Sequence, residues 1–206
     1  MNYTPEDMSA IAMDTYEYCL QNLLVEMVSS KQSEKLTRMG FHIRLSHRIG
    51  VWVCHPVVGK NLIEFYRWKA DALPAETERK AADISNLIRL WQPVIPIEWI
   101  ITTPPQGASL YRGDGHYCAG MLATAVGALL GLEVLTLLTR TTDKRYHHPK
   151  QALTQGEFVV TKQSPSVVLV IDDLISSRTT MTFSLDALIS AGIPAFGFAW
   201  GLSRRE

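Results

Sequence analysis

Cysteine is scarce in this chain: Cys19, Cys54 and Cys118 are the only three among 206 residues, they lie far apart, and no CxxC pair occurs. That usage argues against a zinc ribbon and against a disulfide framework, and it fits a reducing compartment. Net charge is missing too. Twenty Lys and Arg balance twenty Asp and Glu, so no global basic field speaks for a nucleic-acid coat or an anionic membrane surface, although a local basic patch stays open. Long apolar runs are also absent, since no stretch reaches the roughly 18 uninterrupted apolar residues of a membrane span. The polar, acidic start MNYTPEDMSA does not resemble a signal peptide. The expectation is a cytoplasmic protein with no membrane partner. No internal repeat or low-complexity segment is visible. What is present is 47% hydrophobic content over 206 residues, enough to bury a substantial core in one α/β domain and little more.

Along the chain, residues 4–30 carry apolar positions at spacings of three and four behind Thr4-Pro5-Glu6-Asp7, which supplies an N-cap, a first-turn proline and first-turn acids. This predicts an amphipathic helix. The run RLSHRIGVWVCHPVVG contains short β-rich stretches that predict a hairpin or an edge strand. Two helices follow, separated at Leu73-Pro74, where proline ends one helix and can open the next. IEWIITTPP reads as a buried strand entering a loop. The second half then alternates: a helix at 115–130, a strand at 134–138, a polar loop, a strand at 167–171, a helix at 179–191 and a strand at 195–199. Apolar strands alternating with helices predict an α/β fold with a mainly parallel twisted sheet flanked by helices on both faces. The division expected is an N-terminal helical and β-rich extension over residues 1–61 joined to a domain over 62–206 as one compact unit. The loop TRTTDKRYHHPKQALTQGEF is long for a compact connector and is a candidate flap or hood over an active site.

The densest chemistry lies at VVLVIDDLISSRTTMT, residues 167–182. Five apolar residues predict a buried strand with Asp172 and Asp173 at its carboxyl end, then Ser176, Ser177, Arg178, Thr179 and Thr180 lead into a helix. In parallel sheets ligands bind beyond the carboxyl ends of strands. Backbone N–H groups at a helix start cradle phosphate, hydroxyls add hydrogen bonds, and adjacent acids can bind ribose hydroxyls or a hard cation. The plain alternative is that the acids end a strand and the hydroxyls cap a helix.

This stretch resembles the fingerprint of the type I phosphoribosyltransferases: an apolar strand, two acids, two further residues and a hydroxyl- and glycine-rich loop. The resemblance implies that Asp172 and Asp173 contact the ribose hydroxyls of phosphoribosyl pyrophosphate (PRPP), directly or through Mg²⁺, and that Ser176, Ser177, Arg178, Thr179 and Thr180 hold its 5-phosphate. Arg178 stands where that family usually has glycine. Arginine adopts positive φ only at a cost, yet its guanidinium can pair with phosphate bidentately. Three readings stay open: ordinary PRPP binding, binding of a different phosphate ligand, and loss of catalysis.

Further stretches narrow the resemblance to the ComF-like branch. Thr102 to Gly107 and Tyr111 to His116 look like its pyrophosphate loop and Arg-Gly segment. Arg140, Lys144, Gln151, Gly156 and Phe158 echo its hood, and Phe65 to Lys69 its aromatic-lysine element. The resemblance spans about residues 62–201 and implies pyrophosphate contacts from Thr103, Pro104, Pro105, Gln106, Gly107, Arg112, Arg140 and Lys144, with Trp200 flanking the acceptor base or packing in the core. That branch's N-terminal zinc-ribbon cysteines are absent here. The implied activity is transfer of phosphoribosyl from PRPP to a nitrogenous base with Mg²⁺. The rival is a catalytically inactive nucleotide- or phosphate-sensing regulator of the same fold, linked to DNA uptake or processing. Lys144, Arg145 and Lys150 beside His147 and His148 form a basic stretch that is a solvated loop, a pyrophosphate contact or a nucleic-acid contact. The apolar face of the N-terminal helix can pack on the domain or on a second subunit, so a homodimer stays open.

Overall fold

Val167 to Ile171 is buried throughout, as a strand covered on both faces requires. In the structure, a computed structural model describing residues 41–44, 50–57, 60–91, 99–105, 117–141, 156–164, 166–176 and 178–203, this run sits at the middle of the sheet. The described elements are β1 (Phe41–Arg44), β2 (Gly50–Val57), α1 (Lys60–Asp71), α2 (Pro74–Trp91), β3 (Trp99–Thr102) and α3 (Cys118–Leu130), then β4 (Glu133–Val134), β5 (Leu138–Arg140), β6 (Phe158–Val160), β7 (Val167–Ile175), α4 (Thr179–Ser190) and β8 (Ala195–Ser203). The helix expected over residues 4–30 lies outside the described residues.

Six strands form one sheet in the order β1-β2-β8-β7-β3-β4. Every neighbouring pair is parallel except the β1–β2 hairpin. The mainly parallel α/β architecture is therefore the one that the alternating pattern called for. β1 is the edge, whereas β2 is held on both sides, by β1 and by β8. The β-rich part of residues 1–61 thus contributes two strands to the same sheet as the residues that follow.

Alternate residues of β7 feed two cores. Leu169 and Ile171 pack with Phe65 and Trp68 of α1, Ile84, Leu87 and Ile88 of α2, and Leu122 and Val126 of α3. Val168 and Val170 pack with Met181, Leu185 and Leu188 of α4 on the other face, together with Leu137 and Leu138. This is strand periodicity translated into two helical layers. Close approach is bought with glycine: a Cβ on Gly197 would meet Met181 Sδ at 3.0 Å and Val51 Cγ2 at 3.1 Å.

One expected element is split. The strand placed at 134–138 is two strands in two sheets: β4 runs beside β3, and β5 pairs antiparallel with β6 in a separate two-stranded sheet. The main-sheet ladder continues one step, through the Leu135 N–H to the Ile101 carbonyl at 2.8 Å, and then the Leu137 N–H turns to Thr102 Oγ1 at 3.3 Å. A side-chain acceptor replaces the next backbone partner, so the chain leaves the sheet there. The strands at 167–171 and 195–199 run further than their apolar cores, to Ile175 and Ser203. Among the described residues no helix is long and apolar enough to cross a membrane.

Candidate active site

The chain path defines one crevice before any side chain is considered. From β3 it passes through α3, on the first face, outward to β4. From β7 it passes through α4, on the opposite face, outward to β8. Adjacent parallel strands whose crossovers diverge to opposite faces leave an opening beyond their carboxyl ends, the topological switch point where α/β sheets bind ligands. The described segments bordering it are Thr103 to Pro105 after β3, and Asp172 to Ser176 with Arg178 at the end of β7.

The two acids are built into β7 and not into a loop. Strand alternation sends them to opposite faces, Asp173 with Leu169 and Ile171, Asp172 with Val168 and Val170. Asp173 is buried and its Oδ2 lies 2.8 Å from Lys69 Nζ, reaching over from α1. Asp172 Oδ1 accepts the Asp173 backbone N–H at 2.8 Å. Burial, and then the neighbouring Asp173 charge, push the Asp172 carboxyl up to about 7, against the smaller opposing effects of that hydrogen bond and of Lys69. Burial acts against the Lys69 ammonium, but the nearby Asp173 and Asp172 outweigh it and hold its pKa above the usual lysine range. Cys118, 4.0 Å from the Lys69 carbonyl through its Sγ, is pushed up to about 11 by burial and by Asp173.

After Ile175 the chain turns within a few residues into α4. Arg178 makes the turn itself, at φ 64° and ψ −19°, in the left-handed region where glycine is at ease. Its carbonyl accepts the Thr182 N–H at 3.0 Å and the Thr182 hydroxyl at 2.9 Å, which starts the helix, while its side chain makes no cap. The first-turn N–H groups of α4 therefore begin beside the acid pair without a side-chain cap from the preceding residue. Ser176 and Arg178 are exposed, Thr179 and Thr180 half-buried. Ser177 lies outside the described residues.

Across the crevice, Pro104 and Pro105 are buried and Thr103 half-buried. Tyr117 Oη lies 2.5 Å from Thr103 Oγ1 and 2.7 Å from the Pro104 carbonyl oxygen. A phenol has one proton, so it donates to the carbonyl and accepts from the threonine hydroxyl. Its ring lies over Gly120, where a Cβ would come within 2.3 Å of Tyr117 Cδ1. Tyr117 thus straps the exit of β3 to the first turn of α3. Its sequence signal, a tyrosine three residues before a glycine at a helix start, is too common to stand out. Gln106, Gly107, Arg112 and Lys144 lie outside the described residues, as do Arg145, His147, His148 and Lys150.

Of the loop expected as a flap or hood, only the two ends are described: they form the antiparallel β5–β6 pair, and residues 142–155 lie outside the described residues. The pair is seated on α4 by Phe158, edge-on to Phe183 at 6.2 Å. Arg140 has a buried side chain inside this pair, with Nη2 3.9 Å from Glu157 Oε2 and Cζ 5.8 Å from the Phe158 ring centre.

Trp200 sits in a nest between α1, α2, β2 and β8, joined to the Lys69–Asp173 pair through Phe65. It is buried, stacks on Phe65 at 5.8 Å, and donates through Nε1 to Asp83 Oδ2 at 3.1 Å. The same Asp83 oxygen lies 3.1 Å from His55 Nε2, and Lys80 Nζ sits 3.6 Å from the Trp200 ring centre while pairing with Glu76 at 3.2 Å. A cavity of about 770 Å³ opens here, lined by His55, Phe65, Glu76, Arg79, Lys80 and Trp200 among others. Asp83 carries no sequence signal because its partners are remote, Trp200 being 117 positions away.

A divalent cation does not suit the acid pair as it stands. Asp172 and Asp173 diverge to opposite faces, Asp173 is already engaged by an ammonium, and among the described residues no group of three or more His, Cys, Asp or Glu gathers to hold a metal.

No family model matches the chain, and no curated protein does. Among solved structures the chain is similar to adenine phosphoribosyltransferase from Saccharomyces cerevisiae, at 11% identity over 83% of this chain and 87% of that one, with a TM-score of 0.43. It is similar to adenine phosphoribosyl transferase from Trypanosoma brucei at 10% identity over 80% and 86%, with a TM-score of 0.45. It is also similar to UMP synthase from Leishmania donovani at 17% identity and a TM-score of 0.40, covering 65% of this chain and only 23% of that one.

Proposed function

We propose that this chain is a phosphoribosyltransferase-like protein of ComF-like type, which binds PRPP or a related ribose phosphate in the β3–β7 crevice and transfers the phosphoribosyl group to a nitrogenous base. The observation that carries the reading is the acid pair at the end of β7 running directly into the start of α4 at the switch point. In this reading Asp172 and Asp173 hold the ribose hydroxyls. Ser176, Thr179, Thr180 and the first-turn N–H groups of α4 hold the 5-phosphate, with Ser177 and the Arg178 guanidinium beside them. Thr103 to Gly107, Arg112 and Lys144 serve the departing pyrophosphate. The base nitrogen forms its bond to C1 as the C1–O bond breaks, the electron pair leaves with pyrophosphate, and the nitrogen sheds its proton to solvent or to pyrophosphate. Catalysis then consists of positioning and of stabilising the leaving charge.

A second reading, a non-catalytic sensor of the same ligand, is favoured by one observation: Asp173 is committed to Lys69 and is not open to solvent. Calorimetric titration with PRPP, followed by pyrophosphate release across a panel of bases, separates the two. Release that is lost in Asp172→Asn establishes the transferase; PRPP binding with no release for any base leaves the sensor; absence of binding removes both.

A further inference from the structure

The acid pair carries its own cation. Lys69 Nζ is 2.8 Å from Asp173 Oδ2, and the Asp173 side chain is 8% exposed against 37% for Lys69, so the carboxylate is enclosed and the ammonium reaches it from the solvent side. The lysine is not a free arm. It leaves α1 one turn after Phe65, whose ring centre lies 5.4 Å from Nζ, and Phe65 is itself fully buried and stacked on Trp200. The Lys69 carbonyl faces the Cys118 sulfur at the start of α3. The segment that delivers the ammonium is therefore fixed by two packed helices.

We infer that the Lys69 ammonium takes the place of a divalent cation at the acid pair, so that this chain binds its ligand there without a metal. The physical ground is competition for one carboxylate. Magnesium requires oxygens converging at about 2.0–2.1 Å in near-octahedral array. Here one carboxylate is held by a positive charge and the other points to the far face of the strand. An ammonium has three donors, and the exposed side of Lys69 leaves room to spend one on a ligand oxygen while another stays on Asp173. The inference deepens the proposed function and rests on it for the identity of the ligand, a ribose phosphate, but not for the behaviour of the acid pair toward metal.

The test uses the full chain and Mn²⁺ as probe, read by electron paramagnetic resonance. Wild-type protein is expected to take up Mn²⁺ no better than Asp173→Asn. Lys69→Met, which keeps the apolar stem, is expected to gain Mn²⁺ affinity on the order of tenfold, the scale on which a neighbouring group alters metal binding, and to lose that gain when Asp173→Asn is added. Lys69→Arg should gain nothing. Thermal melts identify any variant that fails to fold, with Lys69→Gln as the substitute. Asp173-dependent Mn²⁺ uptake by wild-type protein, or no gain on removing the charge, overturns the inference. A parallel titration with ribose 5-phosphate should give the same affinity in EDTA and in Mg²⁺, and a requirement for Mg²⁺ also overturns it. If ribose 5-phosphate binds in neither, the proposed ligand fails while the Mn²⁺ result decides the role of Lys69.

Discussion

The crevice at β3–β7 and the nest around Trp200 both collect charge in partly buried surroundings, but they settle it differently. At the nest each acid is answered severalfold: Asp83 meets His55, the Trp200 N–H and Arg79, and Glu76 meets Arg79 and Lys80. Both carboxyls are held below their usual range: burial is the largest single influence on Asp83 and raises it, but His55, Trp200 and Arg79 together outweigh that, and Glu76 is held down chiefly by its bond from Arg79. At the crevice two acids share one lysine, and Asp172 is pushed up instead. A group of charges that closes on itself contributes to the fold, whereas one left short of counter-charge is poised for a ligand. A cavity of about 770 Å³ opens at the first region, where the charges are already answered.

The comparison breaks most visibly at Trp200. Truncation to alanine removes a buried indole and its stack on Phe65, and should cost about 3–5 kcal/mol by denaturant unfolding, as large-to-small core changes do. A loss within experimental error would mean that the nest is not structural. Next in size is Asp83→Ala, which strands the Trp200 N–H and the His55 ring. A loss of about 1–3 kcal/mol is expected in the same assay, the cost of a buried donor without its acceptor.

At the crevice the pH dependence has the opposite sign to that of the nest. The Asp172 pKa is raised in the folded state from 3.8 to about 7, so the native chain keeps a proton that the unfolded chain releases. Its contribution is complete below the unfolded value and is lost as pH rises through about 7, with a slope no steeper than about 1.4 kcal/mol per pH unit. Melting wild-type protein and Asp172→Asn across that window should show the decline in the first and a flatter curve in the second; parallel curves would remove the argument. Asp83, lowered in the folded state, contributes above its unfolded value and loses that contribution as acid is added. The smallest effect belongs to Arg178→Gly. Relief of a left-handed arginine, less the extra freedom glycine has when unfolded, should stabilise by up to about 1 kcal/mol. A destabilised variant would show that the guanidinium holds something the strain is worth.

Much of this was legible in the chain because it depends on local pattern. The break at Leu73-Pro74, the apolar core of β7 and the broad alternation of strand and helix appear where the pattern placed them, whereas the hairpin expected within residues 44–59 takes its first strand from Phe41–Arg44, ahead of that run. The acid pair was legible as a pair, but its divergence to two faces required knowing that β7 continues to Ile175. Arg178 was legible as a departure from glycine, and the backbone resolves how it is accommodated: the arginine takes the glycine conformation. What could not be read depends on remote partners. Lys69 meets Asp173 across 104 positions, Tyr117 meets Thr103 across a loop, and the departure of the chain after β4 turns on a single threonine hydroxyl at Thr102.

That departure does more than start the β5–β6 pair. By leaving after Glu133 and Val134, the chain makes β4 an outer strand of only two residues, both exposed. An edge so short offers almost no ladder to an incoming strand, and short edges are one of the ways natural sheets avoid adding strands from other chains. The hydroxyl of Thr102 that draws off Leu137 therefore also guards the sheet against growth on that side, so lengthening β4, by restoring a continuous strand through Leu138, would be expected to trade the β5–β6 pair for aggregation.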